Sequence, residues 1–145
     1  MPPQSDARAP RDYDDIPGTY VFDGEHSRKG YALNMFCMSL NQAANREAFR
    51  ADPQAYLDRY TLTPEQRGAV NNRDWLRMLQ LGGNIYYTFK LAIVDGLSMQ
   101  DVGALMSGVT TPEFSQMMID GGRSIDGNRS KSEWRSKSEQ ETSRG

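Results

Sequence analysis

The stretch LQLGGNIYYTFKLAIVDG, from Leu79 to Gly96, decides the fold class of this chain of 145 residues. Gly82 and Gly83 precede the run Ile85–Phe89, and they could form a tight turn that leads into a β-strand. They could also end one helix and precede another, or they could form a loop that holds phosphate. The surrounding sequence distinguishes among these three interpretations.

Helix-start signals recur on both sides of this stretch. Asp52-Pro53 and Thr63-Pro64 each place a capping residue before a proline, and Gln66 completes a capping box with Thr63. Further starts are predicted at Ser27, Asn45, Asp74, Ser98 with Asp101, and Thr111-Pro112. Only Thr19–Phe22 resembles a second strand, and one short strand cannot make a sheet. We therefore predict an all-α fold, a single compact domain of roughly six to eight short helices.

In that context the opening stretch becomes a helix junction. Gly82-Gly83 supplies a helix stop that tolerates the left-handed conformation, and Asn84 caps the next helix, Ile85–Val94. This helix is apolar apart from Thr88 and Lys90, so we predict that it is buried on most sides. The glycines match neither of the known phosphate-loop patterns, and no strand precedes them.

Composition divides the chain into three parts. Residues 1–27 carry six acidic and two basic residues, and they are predicted to form an acidic segment with an extended arm. Residues 28–122 carry nine of each and form the predicted helical domain. Residues 123–145 repeat the motif Arg-Ser-Lys-Ser-Glu, which predicts a disordered, mixed-charge tail. Hydrophobic residues make up 37% of the chain, fewer than is usual, because the two ends add little to a core.

Several classes of partner do not fit this sequence. The neutral helical domain offers no clustered positive charge to nucleic acid. The most apolar stretch, Ile85–Val94, is too short to span a bilayer, and the first residues lack the apolar core of a signal peptide. With Cys37 as its one cysteine, the chain cannot form an internal disulfide. We expect a cytoplasmic protein with no nucleic-acid or membrane partner.

The chain is poor in residues that carry chemistry. It has one histidine, His26, and one cysteine, Cys37, whereas zinc and non-haem iron sites need several such ligands. His26 lies in a polar stretch and is predicted to be solvated, while Cys37 lies on an apolar helix face and is predicted to be a core residue. The sequence therefore predicts no catalytic residue and no metal site, and a domain that serves a partner.

Five blocks of the sequence occur in the order found in one known family. They are DDIPGTYVF (14–22), RKGYALNMFCMSL (28–40), NREAFRADPQAYLDRYTLTP (45–64), GGNIYYTFK (82–90) and MMIDGGRS (117–124). They resemble the small α subunits of protocatechuate 4,5-dioxygenases, which are extradiol ring-cleaving dioxygenases. The resemblance spans about residues 14–124, and several blocks in order are more specific than any single motif.

The resemblance implies a catalytic partner. In that family the larger β subunit binds Fe(II) through two histidines and a glutamate, and the α subunit donates no ligand. It implies an α2β2 assembly in which the α subunit covers the active-site mouth, with the aromatic diol substrate at the interface. O2 then opens protocatechuate at the 4,5 bond. The arm residues Ile16, Tyr20 and Phe22 are the expected partner-binding side chains, because they have little local core to join.

The resemblance also implies a substrate lid around Asp95–Gln100. Its residues are Gly96, Leu97, Ser98 and Met99. Relatives often carry phenylalanine at the position of Met99, which leaves the choice among protocatechuate, gallate and other catechols open. Met99 could equally be a first-turn residue that faces the core. A non-enzymatic helical adaptor, or a DNA-binding module, is the alternative from another functional class.

Overall fold

The computed structural model describes residues 19–122, together with residues 11, 13, 16, 17 and 124–126. It comprises two units, Phe22–Arg123 on the one hand and residues 1–21 with 124–145 on the other. The helices found among the described residues all belong to the first unit. The tail predicted for residues 123–145 lies outside the described residues, apart from residues 124–126.

Within the described residues the chain forms nine helices and no strand, which confirms the all-α prediction. They are α1 (Gly24–Lys29), α2 (Tyr31–Ser39), α3 (Ala43–Ala51), α4 (Pro53–Leu57), α5 (Pro64–Asn71), α6 (Trp75–Gln80), α7 (Ile85–Val94), α8 (Met99–Ser107) and α9 (Thr111–Ile119). The number exceeds the predicted six to eight partly because Gly30 separates α1 from α2, where the sequence suggested one helix.

Most helices start where the sequence predicts. The side chains of Asp52, Thr63, Asp74 and Ser98 each accept a hydrogen bond from a backbone N–H in the first turn of α4, α5, α6 and α8. The opening stretch is confirmed as a helix junction, since Asn84 caps α7 by accepting from the N–H of Tyr86.

Three predicted starts are wrong by a few residues. Ser27 lies inside α1, whose cap is Asp23, because the Asp23 carboxylate accepts from the N–H of His26 at 2.9 Å. The cap of the last helix is Thr110 rather than Thr111, because Glu113 stands three residues after Thr110 and completes a capping box. Helix α3 begins at Ala43, two residues before the predicted Asn45.

Five consecutive helices end in the same hydrogen-bonded motif. At the end of α7, for example, Leu97 N–H donates to the Ala92 carbonyl and Gly96 N–H to the Ile93 carbonyl, both at 3.0 Å. This Schellman pair requires a positive φ at one residue. The residues that adopt it are Arg73 after α5 (φ 51°), Gly82 after α6 (96°), Gly96 after α7 (76°), Gly108 after α8 (71°) and Gly121 after α9 (104°). Four of these five residues are glycine, and Arg73 is the one that carries a side chain.

Two helix junctions meet backbone to backbone, at Gly30 and at Gly82. A Cβ built on Gly30 would overlap the Gly82 carbonyl, so only glycine permits this approach. The buried Asn34 amide closes the contact: its Nδ2 donates to the Gly82 carbonyl at 3.0 Å, and its Oδ1 accepts from the Asn84 N–H at 2.9 Å. These bonds fix the start of α7 against α2.

A second buried amide joins the same junctions. Gln66 Oε1 accepts from the N–H of Thr63 at 3.1 Å, as the predicted capping box requires. Its Nε2 donates to the carbonyls of Lys29 and Leu81, at 3.0 and 3.1 Å. The start of α5 is thereby bonded both to the end of α1 and to the end of α6.

The core gathers apolar side chains from α2 to α8. Its aromatic centre is formed by Phe36, Phe49, Tyr56 and Tyr60, with ring centroids 5.3–6.0 Å apart. Cys37 is fully buried, as predicted, and burial raises the pKa of its thiol to about 12. That thiol is therefore not a reactive nucleophile at neutral pH.

Helix α7 is less buried than its composition suggests. Thr88, Leu91 and Ala92 face the core, whereas Tyr86 is 75% and Ile93 53% exposed. The prediction that α7 is buried on most sides is wrong, because the core covers one face only. The opposite face keeps large apolar side chains at the surface of this unit.

Candidate functional site

Helices α2 and α7 and the first residue of α8 enclose a groove of about 400 Å³, here named the α2–α7 groove. Its walls are mostly aromatic, aliphatic or thioether side chains, with one amide and one ammonium. The lining residues are Met38, Asn41, Ile85, Tyr86, Tyr87, Phe89, Lys90 and Met99. An apolar concavity with a few polar groups is the usual form of a ligand or partner site.

The face of α7 that lines this groove is opposite the one that enters the core. Because Thr88 and Ala92 pack inward, Tyr86 and Lys90 turn towards the groove. Met38 on α2 and Met99 on α8 are 42% and 60% exposed. Contiguous exposed apolar side chains of this kind mark interaction surfaces.

Of the four predicted lid residues, Gly96, Leu97 and Ser98 lie in the turn between α7 and α8, and Met99 begins α8. Gly96 ends α7 with its positive φ, and Leu97 packs against the core. Ser98 Oγ accepts from the N–H of Asp101 at 3.1 Å, and the Asp101 carboxylate accepts from the N–H of Ser98 at 2.9 Å. Hydrogen bonds from the Ser98 backbone, from Thr111 and from the Ser98 side chain lower the pKa of Asp101. The turn is thus fixed at both ends.

Met99 is the first residue of α8, and its side chain lines the groove. With 60% of its surface exposed, it is not a core residue, so the core-facing alternative is wrong. Its exposed side chain lines the groove together with residues of α7, where it can contact a bound molecule.

Two arginines that the sequence analysis did not identify hold the beginning of this turn. Arg73 Nε donates to Asp95 Oδ2 at 2.6 Å and Nη2 to Oδ1 at 3.3 Å, and the guanidinium lies 5.5 Å from the centroid of the Phe49 ring. Arg50 Nη2 donates to the carbonyl of Val94 at 3.1 Å. The end of α7 is therefore bonded to both α3 and the α5–α6 connection.

Comparison with known proteins decides the family. Residues 33–119 match the family described as "Aromatic-ring-opening dioxygenase LigAB, LigA subunit". The chain belongs to this LigA family. The match covers most of α2 and all of α3 to α9, and therefore includes the groove and the turn. The resemblance found in the sequence is confirmed at this level, as a small subunit of an extradiol dioxygenase.

A curated relative gives a second comparison. Gallate dioxygenase from Pseudomonas putida is 31% identical to this LigA-family chain over 99 residues. The aligned part is 68% of this chain and 29% of that protein. The chain thus spans less than a third of the length of the relative that it matches.

Two of the predicted partner-binding residues of this LigA-family chain, Ile16 and Tyr20, belong to the unit that contains residues 1–21, and Phe22 belongs to the unit Phe22–Arg123. Ile16 is half-buried and its carbonyl accepts from the N–H of Thr19 at 3.2 Å. Tyr20 is 48% and Phe22 39% exposed. Residues 19–23 have neither helix nor strand. The role of this segment as a partner-binding arm stays a prediction.

The donors of this LigA-family chain do not fit an Fe(II) site. Such sites use two histidines and a carboxylate, and the sequence has His26 alone. His26 was predicted to be solvated, but it is half-buried and its Nδ1 lies 2.8 Å from Asp23 Oδ1. Within the described ranges no three His, Cys, Asp or Glu side chains cluster as metal ligands.

None of the described helices has the length and apolarity needed to cross a membrane.

Proposed function

We propose that this chain is the α subunit of a two-chain Fe(II) extradiol dioxygenase and covers the active site of the catalytic β subunit. Membership of the LigA family over residues 33–119 supports this role. One histidine and one cysteine cannot supply the iron ligands, so the β subunit holds the metal. We propose an α2β2 assembly, with the arm residues Ile16, Tyr20 and Phe22 bound to β.

The α2–α7 groove is the surface that would meet the active site. Tyr86 and Met99 expose apolar area that a partner would remove from water, at about 25 cal/mol for each Å² buried. Covering the groove would also exclude water from the reacting substrate, which strengthens every electrostatic interaction inside. Met99 carries the proposal most directly, because a large apolar side chain stands exposed at the rim of the groove.

The turn Gly96–Met99 acts as the lid. Its ends are held by the Schellman pair of α7 and by the capping box of α8, so it can present Met99 to the substrate ring without being ordered first. A flexible thioether adapts to rings with different substituents. The chain thus encloses the substrate and shapes the wall of its pocket, while the partner carries out the ring-opening chemistry.

The substrate we propose is an aromatic acid with adjacent hydroxyl groups. Protocatechuate, opened at its 4,5 bond, is one candidate. Gallate is the other, and the name of the relative from Pseudomonas putida supports it. The two acids differ by one ring hydroxyl, which is the scale of difference that a single side chain at the lid can discriminate.

Coexpression tests this function. The chain would be produced with an iron-binding large dioxygenase subunit, and O2 consumption would be measured with protocatechuate and with gallate. We expect ring cleavage by the complex and none by this chain alone. Stoichiometric iron retained by the isolated chain, or ring cleavage without a partner, would overturn the proposal. A helical adaptor would form no stable complex with such a subunit.

A further inference from the structure

Lys90 differs from the other half-buried cations of the helical unit. Among the described residues of that unit, four arginines or lysines are half-buried. Arg46 donates to the carbonyls of Leu40 and Asn41, and Arg67 and Arg73 pair with aspartates. The side chain of Lys90 forms no hydrogen bond or ion pair with any residue in the described part of the chain. It is a half-buried cationic side chain without a counter-charge.

Lys90 lines the α2–α7 groove together with Met99, Tyr86 and Phe89. No aspartate or glutamate is among the lining residues, so nothing in the groove neutralises the ammonium. Burial among apolar walls lowers the effective dielectric constant, which strengthens attraction to an anion. The arrangement, aromatic and thioether walls with one cation, complements a flat apolar ring that carries a negative group.

We propose that Lys90 binds the carboxylate of the substrate, a hydroxylated benzoate whose ring lies under Met99. This inference rests on the proposed function, because it requires the groove to open onto the substrate at the subunit interface. It makes Lys90 a specificity-determining residue: the ammonium selects acids such as gallate and protocatechuate over diols that lack the carboxylate. It also orients the ring, because the carboxylate is then held at one end while the hydroxyls that react lie at the other.

The test uses the assembled two-subunit enzyme with Lys90→Met, which keeps the length and apolar stem of the side chain. Gallate and protocatechuate are compared with pyrogallol and catechol, which carry the same hydroxyls without the carboxylate. Turnover is measured for each compound that the enzyme cleaves, and an inhibition constant is measured for each compound that it does not cleave. For the two acids, we expect kcat/KM to fall about 10- to 100-fold, as for a lost charge-assisted hydrogen bond. For pyrogallol and catechol, the two neutral compounds, the change should stay within about twofold.

Two further variants sharpen the result. Lys90→Arg should restore most of the preference for acids, because it keeps the charge. Lys29→Met, which removes an exposed lysine of α1 outside the groove, should leave both substrate classes unchanged. Equal losses on the acids and on the neutral compounds, or no loss on either, would overturn the assignment.

Two other outcomes are distinguishable from these. Weaker assembly with an unchanged ratio of acid to neutral substrate would mean that Lys90 pairs with a carboxylate of the partner subunit instead, which overturns the inference and leaves the proposed function standing. Failure of the unmodified complex to open any of the rings would overturn the proposed function, and the Lys90 assignment with it.

Discussion

Arg73 and Asp95, 22 residues apart in sequence, join the ends of α5 and α7 through two hydrogen bonds. Asp95 is the C-cap residue that follows α7, at the helix end where the dipole disfavours a negative charge. Arg73 offsets that charge, and it does so from a left-handed backbone conformation that glycine adopts at the four other equivalent helix ends. The guanidinium is the reason for a non-glycine residue at this position.

Replacing Arg73 should separate the cost of its backbone from the benefit of its side chain. Arg73→Ala loses the ion pair and keeps the left-handed strain, so we expect a loss of roughly 1–2 kcal/mol in the free energy of unfolding. Arg73→Gly loses the same pair but relieves the strain, and should be about 1 kcal/mol more stable than the alanine variant. Urea unfolding of both measures the difference. Equal stabilities would show that φ at this residue carries no strain.

The contact of Gly30 with Gly82 gives a second prediction. Gly30→Ala should destabilise the fold by about 2–3 kcal/mol or more, because the added methyl overlaps a backbone carbonyl that two buried amides hold in place. Gly68→Ala is the matched control, since a Cβ there has nothing within 4 Å and lies in helix α5. That variant should gain about 0.5–1 kcal/mol from helix propensity. Thermal unfolding that ranked the two the other way would contradict the close approach.

Met99→Ala tests the lid. Because Met99 is exposed, the variant should keep the stability of the chain and its assembly with the β subunit. The ranking of protocatechuate against gallate should change by roughly tenfold or more in kcat/KM, since a methylene or two of pocket wall is worth ~1–3 kcal/mol. Met78→Ala, at a fully buried position, should do the reverse: lose about 2–5 kcal/mol of stability and keep the ranking. An unchanged ranking for Met99→Ala would remove it from the site.

The arm can be tested through Tyr20 and Phe22. Changing both to serine should leave the unfolding free energy of the isolated chain within about 0.5 kcal/mol, because both rings are exposed. If these rings bind the β subunit, the double variant should assemble more weakly, by roughly tenfold or more for two interface aromatics. Titration of the labelled β subunit measures this affinity. Wild-type affinity would mean that the arm is not part of the interface.

The buried thiol of Cys37 predicts a pH dependence of stability. Its pKa is raised from 9.0 to about 12 in the folded chain, so the folded state binds the proton more tightly than the unfolded state. The resulting stability is present below about pH 9 and is lost as the pH rises from there towards 12. Between about pH 8 and about pH 10.5, wild type should lose about 2 kcal/mol more than Cys37→Ala. Parallel pH profiles of the two proteins would contradict the shift.

Local patterns account for most of what the sequence predicted. A capping box is a contact between residues three apart, so Thr63 with Gln66, and Ser98 with Asp101, could be recognised without tertiary information. The prediction that Ser27 caps a helix was wrong because Asp23, four residues earlier, also offers a side-chain oxygen that can cap. The break between α1 and α2 depends on the contact of Gly30 with Gly82, which lies far away in sequence.

The parts of the site that the sequence missed depend on distant residues. The positive φ of Arg73 is supported by Asp95, which lies 22 residues away. The apolar composition of α7 could not reveal that Tyr86 and Ile93 are exposed, because a face that awaits a partner and a face in the core contain the same residue types. The lid, by contrast, was assigned through the family resemblance, since the turn itself has no chemical signature.

The hydrogen bonds of the Gln66 side chain restrict which amino acids can replace it. In an isolated helix, glutamate serves a capping box as well as glutamine does. Here the amide nitrogen of the same side chain also donates to the Lys29 and Leu81 carbonyls, so a carboxylate would bring negative oxygens against two acceptors in a buried place. Replacing Gln66 with glutamate, which has little effect at most helix starts, would therefore break the bonds that join the start of α5 to the ends of α1 and α6. The formation of the α5 cap is thus coupled to the packing of α1 against α6.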